Sequence, residues 1–573
     1  MDTLSGNFTL FALTIILGRC LALYIYQTCW QDAQKSKGRH STHIVPFLIK
    51  PQFLVPVILF SYWTLDSNWD NIPLVRNFAA VGAITYAAAT IGRWGAIDLG
   101  RFFAAERCLV LLLCIGVCFS PVFLLPFIFC TSRLQYRVAC SAFSPGYSNL
   151  LGYEFMRMTL CALLSACSVR HLVLGSGLTI DNPSASTVVA SEFFILSAVL
   201  ITQASSYFQQ AIAKCFVGRT LLSWILENRL QCLCVNAYLR GWGKNKERVL
   251  SIATMMGRFR VILCFLVWLI EFSWILILAE PVLSLVIVAL TFVFHLQVLI
   301  FTGLLSYHYM ISHCLMMYII TQINPSVFDH FLLPGILCIL ANTIGVLLLR
   351  RHLWNLQRKK ASSTEWHKVF DPADHLMAWW DSPLMRMYRY SVTTVSGKEY
   401  RFPVTRFSPY DTFLTDIHTH LMVFQRDWEV DPYLNQDRKL IATGVWGLTV
   451  EKEVKDSLYL AMDSPDQELA CLVSKNAETV SEQSELHHEF QRFFRAINHH
   501  RQNRIFSIFF RWPHFPGEDL VPDECPLLES KLEAYNCQEK IIALNISCIT
   551  TFYRKDSIDI LSVKQLPSIQ LMN

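Results

Sequence analysis

Lys214 ends a long apolar segment, in the run Ser206-Tyr207-Phe208-Gln209-Gln210-Ala211-Ile212-Ala213-Lys214. A lysine facing hydrocarbon or a dry cavity is costly, so it marks either a function or a pairing that makes it bearable. A desolvated lysine is a usable general base near neutral pH, provided that a substrate proton and a second polar group lie within reach. The competing reading is a helix-end lysine whose stem lies in apolar surroundings while its head reaches water. His295 lies deep in Phe292-Val293-Phe294-His295-Leu296-Gln297, and His171 follows Arg170 at a segment end. Each is a candidate catalytic group or a partner in an interhelical hydrogen bond.

Glu271, in Trp268-Leu269-Ile270-Glu271-Phe272-Ser273-Trp274, is the clearest carboxylate inside an apolar run. Without a cation it stays protonated on burial. Such an acid, walled by Trp268 and Trp274, activates an epoxide or alkene, and aromatic faces stabilise the developing carbocation. The alternative is an ion pair with Arg258 or Lys214. Tyr207, Trp268 and Trp274 are the expected substrate-binding aromatics. Glu192 and Asp181 are weaker candidates, and Glu154 with Arg157, three apart, reads as a structural pair on one helix face. The histidine-rich stretches His418-Thr419-His420, His487-His488-Glu489 and His499-His500 fall in helical context, where residues i and i+2 diverge. They read as a solvated surface, and no metal site is expected. No P-loop, HExxH, G-x-S-x-G or dinucleotide glycine pattern occurs.

These residues are carried by a chain of 573 residues, 53% hydrophobic and only 16% charged. Soluble domains run nearer ~25% charged, so the composition points to a membrane protein. The net charge of +5 is small for this length, and nucleic acid is not an expected partner. Most of the 19 cysteines lie in apolar runs, where free cysteine acts as a small hydrophobe. A spanning helix needs ~20 mainly apolar residues. Candidates lie near 8–26, 44–64, 76–92, 107–131, 153–174, 187–212, 259–279, 281–304, 308–323 and 331–349. The third and ninth are short or broken, with re-entrant character an option. The first is expected to be a transmembrane helix that also acts as an uncleaved signal.

The expected fold is a membrane all-α polytopic bundle of about eight to ten transmembrane helices with a small C-terminal mixed α/β soluble domain. Its divisions are a membrane domain over 1–355, a basic and polar linker over 356–364, and a tail over 365–573. Residues 218–240 alternate apolar and charged positions and predict an amphipathic interfacial helix. In the tail, 391–403 predicts a hairpin around Ser396-Gly397-Lys398, 444–461 predicts a strand, and 408–426 and 479–500 predict helices. Asn7-Phe8-Thr9 and Asn545-Ile546-Ser547 match the glycosylation sequon.

Tyr207-Phe208 followed by Lys214 resembles the segment carrying the catalytic lysine of vitamin K-dependent gamma-glutamyl carboxylase, of the superfamily built on the horizontally transferred transmembrane domain. The run from Phe294-His295 to Phe301, Gly303 and Ser306-Tyr307 is similar to that family's Phe-His segment, about two residues shorter. Arg170 to Leu178 resembles its His-containing stretch, and Trp379-Trp380-Asp381-Ser382-Pro383 through Glu399-Tyr400 resembles the start of the soluble region in related membrane proteins. The resemblance implies that Lys214 is a base, that His171 and His295 orient it or donate hydrogen bonds, and that a reduced quinone such as vitamin K hydroquinone is the cofactor. The chain departs from the pattern in two respects: the tail of about 200 residues offers no evident equivalent of the family's long luminal region that captures its peptide substrate, and the paired lysines are reduced to one, with Ala213 before Lys214. In general character the chain also resembles fungal membrane-bound meroterpenoid cyclases, which need no cofactor.

Two enzymatic expectations follow. The first is a cyclase acting on a lipophilic isoprenoid, a prenyl chain or its epoxide, drawn from the bilayer of the endoplasmic reticulum or a related endomembrane. The second is a quinol-dependent carboxylase or oxygenating enzyme. A transporter or scaffold without catalysis is the third, and the oligomeric state is not readable.

Overall fold

The computed structural model describes residues 2–35, 44–64, 69–92, 101–142, 151–175, 192–215, 220–243, 245–303, 305–323, 325–359, 380–402, 448–449, 452–464, 525–528, 532–535, 539–554, 557–565 and 568–571. Most of them are helical, and the strands gather at the C-terminal end.

The helices are α1 (Asp2–Lys35), α2 (Ile44–Leu48), α3 (Pro51–Thr64), α4 (Pro73–Gly92), α5 (Arg101–Phe119), α6 (Leu124–Ala142), α7 (Leu151–Gly175), α8 (Glu192–Cys215), α9 (Ser223–Glu227), α10 (Gln231–Leu239), α11 (Lys246–Arg258), α12 (Arg260–Ser273), α13 (Pro281–Thr302), α14 (Tyr307–Gln322), α15 (Ser326–Lys359) and α16 (Lys452–Asp463). Among the described residues, four stretches are long and apolar enough to cross a membrane: Leu4–Asp32, Phe155–Gly175, Pro281–Thr302 and Phe328–Val346. A fifth results if α11 and the helix that follows it, bent by 75° at their junction, form one broken span. The break expected in the third or ninth candidate thus lies elsewhere. α4 and α14 each run without interruption.

α13 shows why these helices suit a bilayer. Val282, Val286, Leu290, Val293 and Ile300 are exposed along one stripe, while Ser284, Ile287, Val288 and Thr291 are buried on the other. In water such an apolar stripe is a liability, but facing lipid it costs nothing. α1 packs against α6, α7 and α15. A β-carbon at Gly18 would lie 3.1 Å from the Cα of Ala162, so the missing side chain is what lets α1 and α7 approach. α8 is sheathed by α7, α12 and α15 and buried over nearly its whole length. Charges inside the N-terminal half are paired: Arg133 donates to Asp32 at 2.8 Å and to Glu106 at 2.5 Å, and Lys50 donates to Asp32 at 2.6 Å.

The C-terminal strands are β1 (Trp380–Asp381), β2 (Leu384–Thr394), β3 (Glu399–Phe402), β4 (Leu448–Thr449), β5 (Ile541–Arg554), β6 (Ser557–Gln565) and β7 (Ile569–Gln570). β3-β2-β5-β6 form an antiparallel sheet in that order, with β7 added on β5, and β1 pairs with β4. The expected hairpin is present, with Tyr390 opposite Phe402 and Thr393 opposite Glu399. Gly397 takes φ 78° in its turn, a conformation that costs glycine little.

Three local expectations are corrected. Over 444–461 the structure has a helix, α16, after the two-residue β4. Leu458, Ala461 and Met462 share one buried face at helical spacing, and tertiary packing overrides the β-branched flavour of the segment. The segment 218–240 is not one interfacial helix but α9 and α10, and α10 is nearly all buried beneath the C-terminal sheet. Asn7 sits within α1 with its side chain buried and its amide donating to the His330 carbonyl at 3.4 Å, so it is no accessible glycosylation acceptor. α15 extends to Lys359. The helices expected over 408–426 and 479–500, Asp181 and the histidine-rich stretches lie outside the described residues.

Candidate functional site

α8 carries a polar stripe. Gln203, Tyr207, Gln210 and Lys214 follow one another at spacings of four, three and four, which places them on one helical face, and all four are buried. The helix tolerates further polar residues because Thr202 and Ser205 return their hydroxyls to the carbonyls of Ala198 and Ile201.

At the end of the stripe, Lys214 Nζ donates to both oxygens of Glu271 at 2.6 Å. The pair is buried, with 5% and 3% of the two residues exposed. Glu271 therefore faces the bundle, and its cation is Lys214 rather than Arg258. Lys214 does not snorkel. The Trp224 ring lies 5.1 Å from Nζ and adds a cation–π contact. Each charge here is the counterion that makes the other tolerable in a low-dielectric interior.

Two turns back along the stripe, Tyr207 forms a second centre. Its hydroxyl lies 2.9 Å from His295 Nε2 and 3.0 Å from His313 Nε2. One phenol hydrogen serves one bond only. When both rings are neutral, the hydroxyl donates to one imidazole and the other imidazole donates its Nε2–H to the phenol oxygen. The two rings thus hold complementary tautomers, the accepting ring protonated at Nδ1 and the donating ring at Nε2. Trp274, from the short turn after α12, stacks on Tyr207 at 4.6 Å and 14°, and is fixed by its Nε1–H to Thr291 Oγ1 at 2.9 Å. Tyr309 stacks on His295 at 5.0 Å. His313 is fully buried, whereas His295 is half-buried on α13, the helix with the apolar outer stripe.

Of the residues singled out in the sequence, Lys214 with Glu271, and Tyr207 with His295 and Trp274, are brought together. Trp268 walls the lysine end: its Nε1 donates to the Ala211 carbonyl at 3.2 Å and its ring stacks on Phe272 at 4.8 Å. Trp274 walls Tyr207 instead of Glu271. His171, in the last turn of α7, is half-buried, and among the described residues no hydrogen bond or ion pair joins it to Lys214, Glu271 or His295. Glu192 has a structural role: its carboxylate accepts from the backbone of Leu74 and Val75 at 3.0 and 3.4 Å, capping the N-terminus of α4. Arg157 lies over the Tyr26 ring at 5.6 Å. The residues that sequence reasoning missed are His313, Ser312 and Gln203, with Gln203 Nε2 donating to Ser312 Oγ at 3.0 Å. Their signal was the density of polar side chains in Tyr307-His308-Tyr309…Ser312-His313, within an otherwise apolar helix.

Comparison of the chain with protein-family models, with curated proteins and with solved structures returns no match.

Proposed function

We propose that the chain is an integral-membrane enzyme performing acid–base chemistry on a lipophilic isoprenoid, as a terpene or meroterpenoid cyclase. The observation that carries the reading is the Tyr207 hydroxyl held between two imidazoles inside an apolar helical bundle. A phenol so placed can give up its proton because an imidazole N–H bonds the phenolate left behind.

The substrate enters from the bilayer past the half-buried His295. Tyr207 protonates the epoxide oxygen of the prenyl chain, the C–O bond opens, and a double bond or hydroxyl of the substrate attacks the cationic carbon. The faces of Trp274 and Tyr309 stabilise the cation. The proton lost on ring closure returns to the Tyr207 phenolate, directly or through the neighbouring neutral imidazole, so the product is an isomer of the substrate and the acid is regenerated. The Lys214–Glu271 pair fixes α8 against α12 and sets the field at the far end of the stripe. In this reading α4, α5, α6, α8 and α14 join the four or five apolar spans to give nine or ten crossings, in an endomembrane such as the endoplasmic reticulum.

The test is expression in a host fed prenylated phenols and their epoxides, with extracts read by mass spectrometry. An isomer of unchanged mass that Tyr207→Phe loses supports the cyclase. A product heavier by a carboxyl group or an oxygen would replace it with a quinol-dependent carboxylase or oxygenase.

A further inference from the structure

Among the described residues, two buried polar atoms on side chains beside Tyr207 have no hydrogen-bond partner: Gln203 Oε1 and His313 Nδ1. Both residues are fully buried. Gln203 lies one helical turn before Tyr207 on the same face of α8, and its amide nitrogen is held by Ser312, the neighbour of His313. Tyr207 in turn holds the opposite nitrogen of the His313 ring. The two orphan atoms therefore belong to side chains that the Gln203–Ser312 and Tyr207–His313 bonds hold where α8 meets α14. An orphaned buried polar atom is costly, and two together in an apolar bundle call for a polar guest.

The donor and acceptor logic selects the guest. When His313 Nε2 accepts from Tyr207, its Nδ1 carries hydrogen and donates, while Gln203 Oε1 only accepts. The guest must accept from one and donate to the other. Reversing the amide of Gln203 and the His313 tautomer exchanges the two roles but leaves the same requirement. An ether, an epoxide or a ketone only accepts, and a carboxylate brings an unpaired charge. A hydroxyl meets both requirements.

We infer that Gln203 and His313 form a docking point for the hydroxyl of a lipophilic alcohol or phenol, which anchors the substrate's head while its prenyl chain folds over Trp274 and brings its epoxide back to the Tyr207 hydroxyl. The inference rests on the cyclase reading for the word substrate, but the binding site can be tested without turnover.

The probe is a farnesylated phenol with a photoreactive diazirine on its terminal isoprene unit, together with its methyl ether. Both are presented to the full chain in lipid nanodiscs, and cross-linking is read by intact mass. The free phenol is expected to label about tenfold more than the ether, the ratio for one lost hydrogen bond of ~1.4 kcal/mol. Gln203→Met, close in shape, is expected to abolish that preference, and Ser312→Ala, which frees the amide, to weaken it. Equal labelling by phenol and ether in the parent protein, or a preference unchanged in Gln203→Met, overturns the site and leaves water as the guest. Hydroxyl-dependent labelling without conversion of an unlabelled farnesylated phenol epoxide upholds the site and sinks the cyclase reading. Conversion with labelling indifferent to the hydroxyl does the reverse.

Discussion

The Trp224 ring touches two parts of the molecule at once: it lies 5.1 Å from Lys214 Nζ, and it packs in one apolar cluster with Cys264 and with Trp380 of the C-terminal strands. The buried ion pair of α8 and α12 is thus sealed on one side by α9, and α9 is sealed by β1. The same junction is bonded in both directions. Asn228 donates to the Asp381 carboxylate at 2.8 Å and accepts from the Asp381 backbone at 2.9 Å, and Tyr459 donates to the Asp381 carbonyl at 2.8 Å. Lys455 bonds Glu227 and lies over Trp380 at 4.2 Å.

Removing one member of the Lys214–Glu271 pair strands the other. Lys214→Met and Glu271→Leu are each expected to destabilise the protein by ~3–5 kcal/mol, because an uncompensated charge stays buried. The double variant is expected to recover most of that loss. Thermal unfolding of detergent-solubilised protein checks the coupling. Single-variant losses that simply add in the double variant would show that the pair is not energetically joined.

Tyr207→Phe keeps the ring stacked on Trp274 and removes only the hydroxyl. The expected result is a ~10²–10⁴-fold fall in turnover, the range for losing a positioned acid or base. His171→Ala is expected to leave turnover within ~threefold, since His171 bonds neither centre. Comparable losses in both variants would break the link between geometry and chemistry drawn here.

Asp381→Ala removes the acceptor of Asn228 at the junction. Limited proteolysis of the full chain is expected to cut between the membrane helices and the C-terminal strands at least several-fold faster, with a local destabilisation of ~1–3 kcal/mol for the stranded amide. Asn228→Ala is expected to behave alike, and the double variant to be no worse than either single one.

Burial pushes the Tyr459 phenol well above its ordinary range, and the neighbouring Cys232 and Asp381 push the same way. The unfolded phenol ionises near pH 10.0, the folded one later. The neutral phenol's contribution is therefore complete below pH ~10 and is lost as the pH climbs from there toward the folded value. Docking of the C-terminal strands is expected to weaken on alkaline titration, and Tyr459→Phe is expected to remove that part of the alkaline loss. Protease susceptibility against pH reads both.

The sequence by itself determined the long apolar helices, because few charges and long apolar runs are composition, and it located the Lys214 helix from the apolar run that the lysine ends. It also determined the tail's first hairpin, since Ser396-Gly397-Lys398 between alternating strands is a local signal. It named Lys214, Glu271, Tyr207, His295 and Trp274 from residue type and apolar context. What only the tertiary structure decided is which of these meet. Tyr207 bonds His295 and His313 across 88 and 106 residues, and Lys214 bonds Glu271 across 57. No local periodicity encodes such a distance. The tertiary structure therefore chose His313 over His171 as the second imidazole, bound the lysine to the glutamate instead of leaving each alone, and turned 452–463 into a helix. In each case the deciding term was burial against a partner remote in sequence, which outweighs the preferences of a short segment.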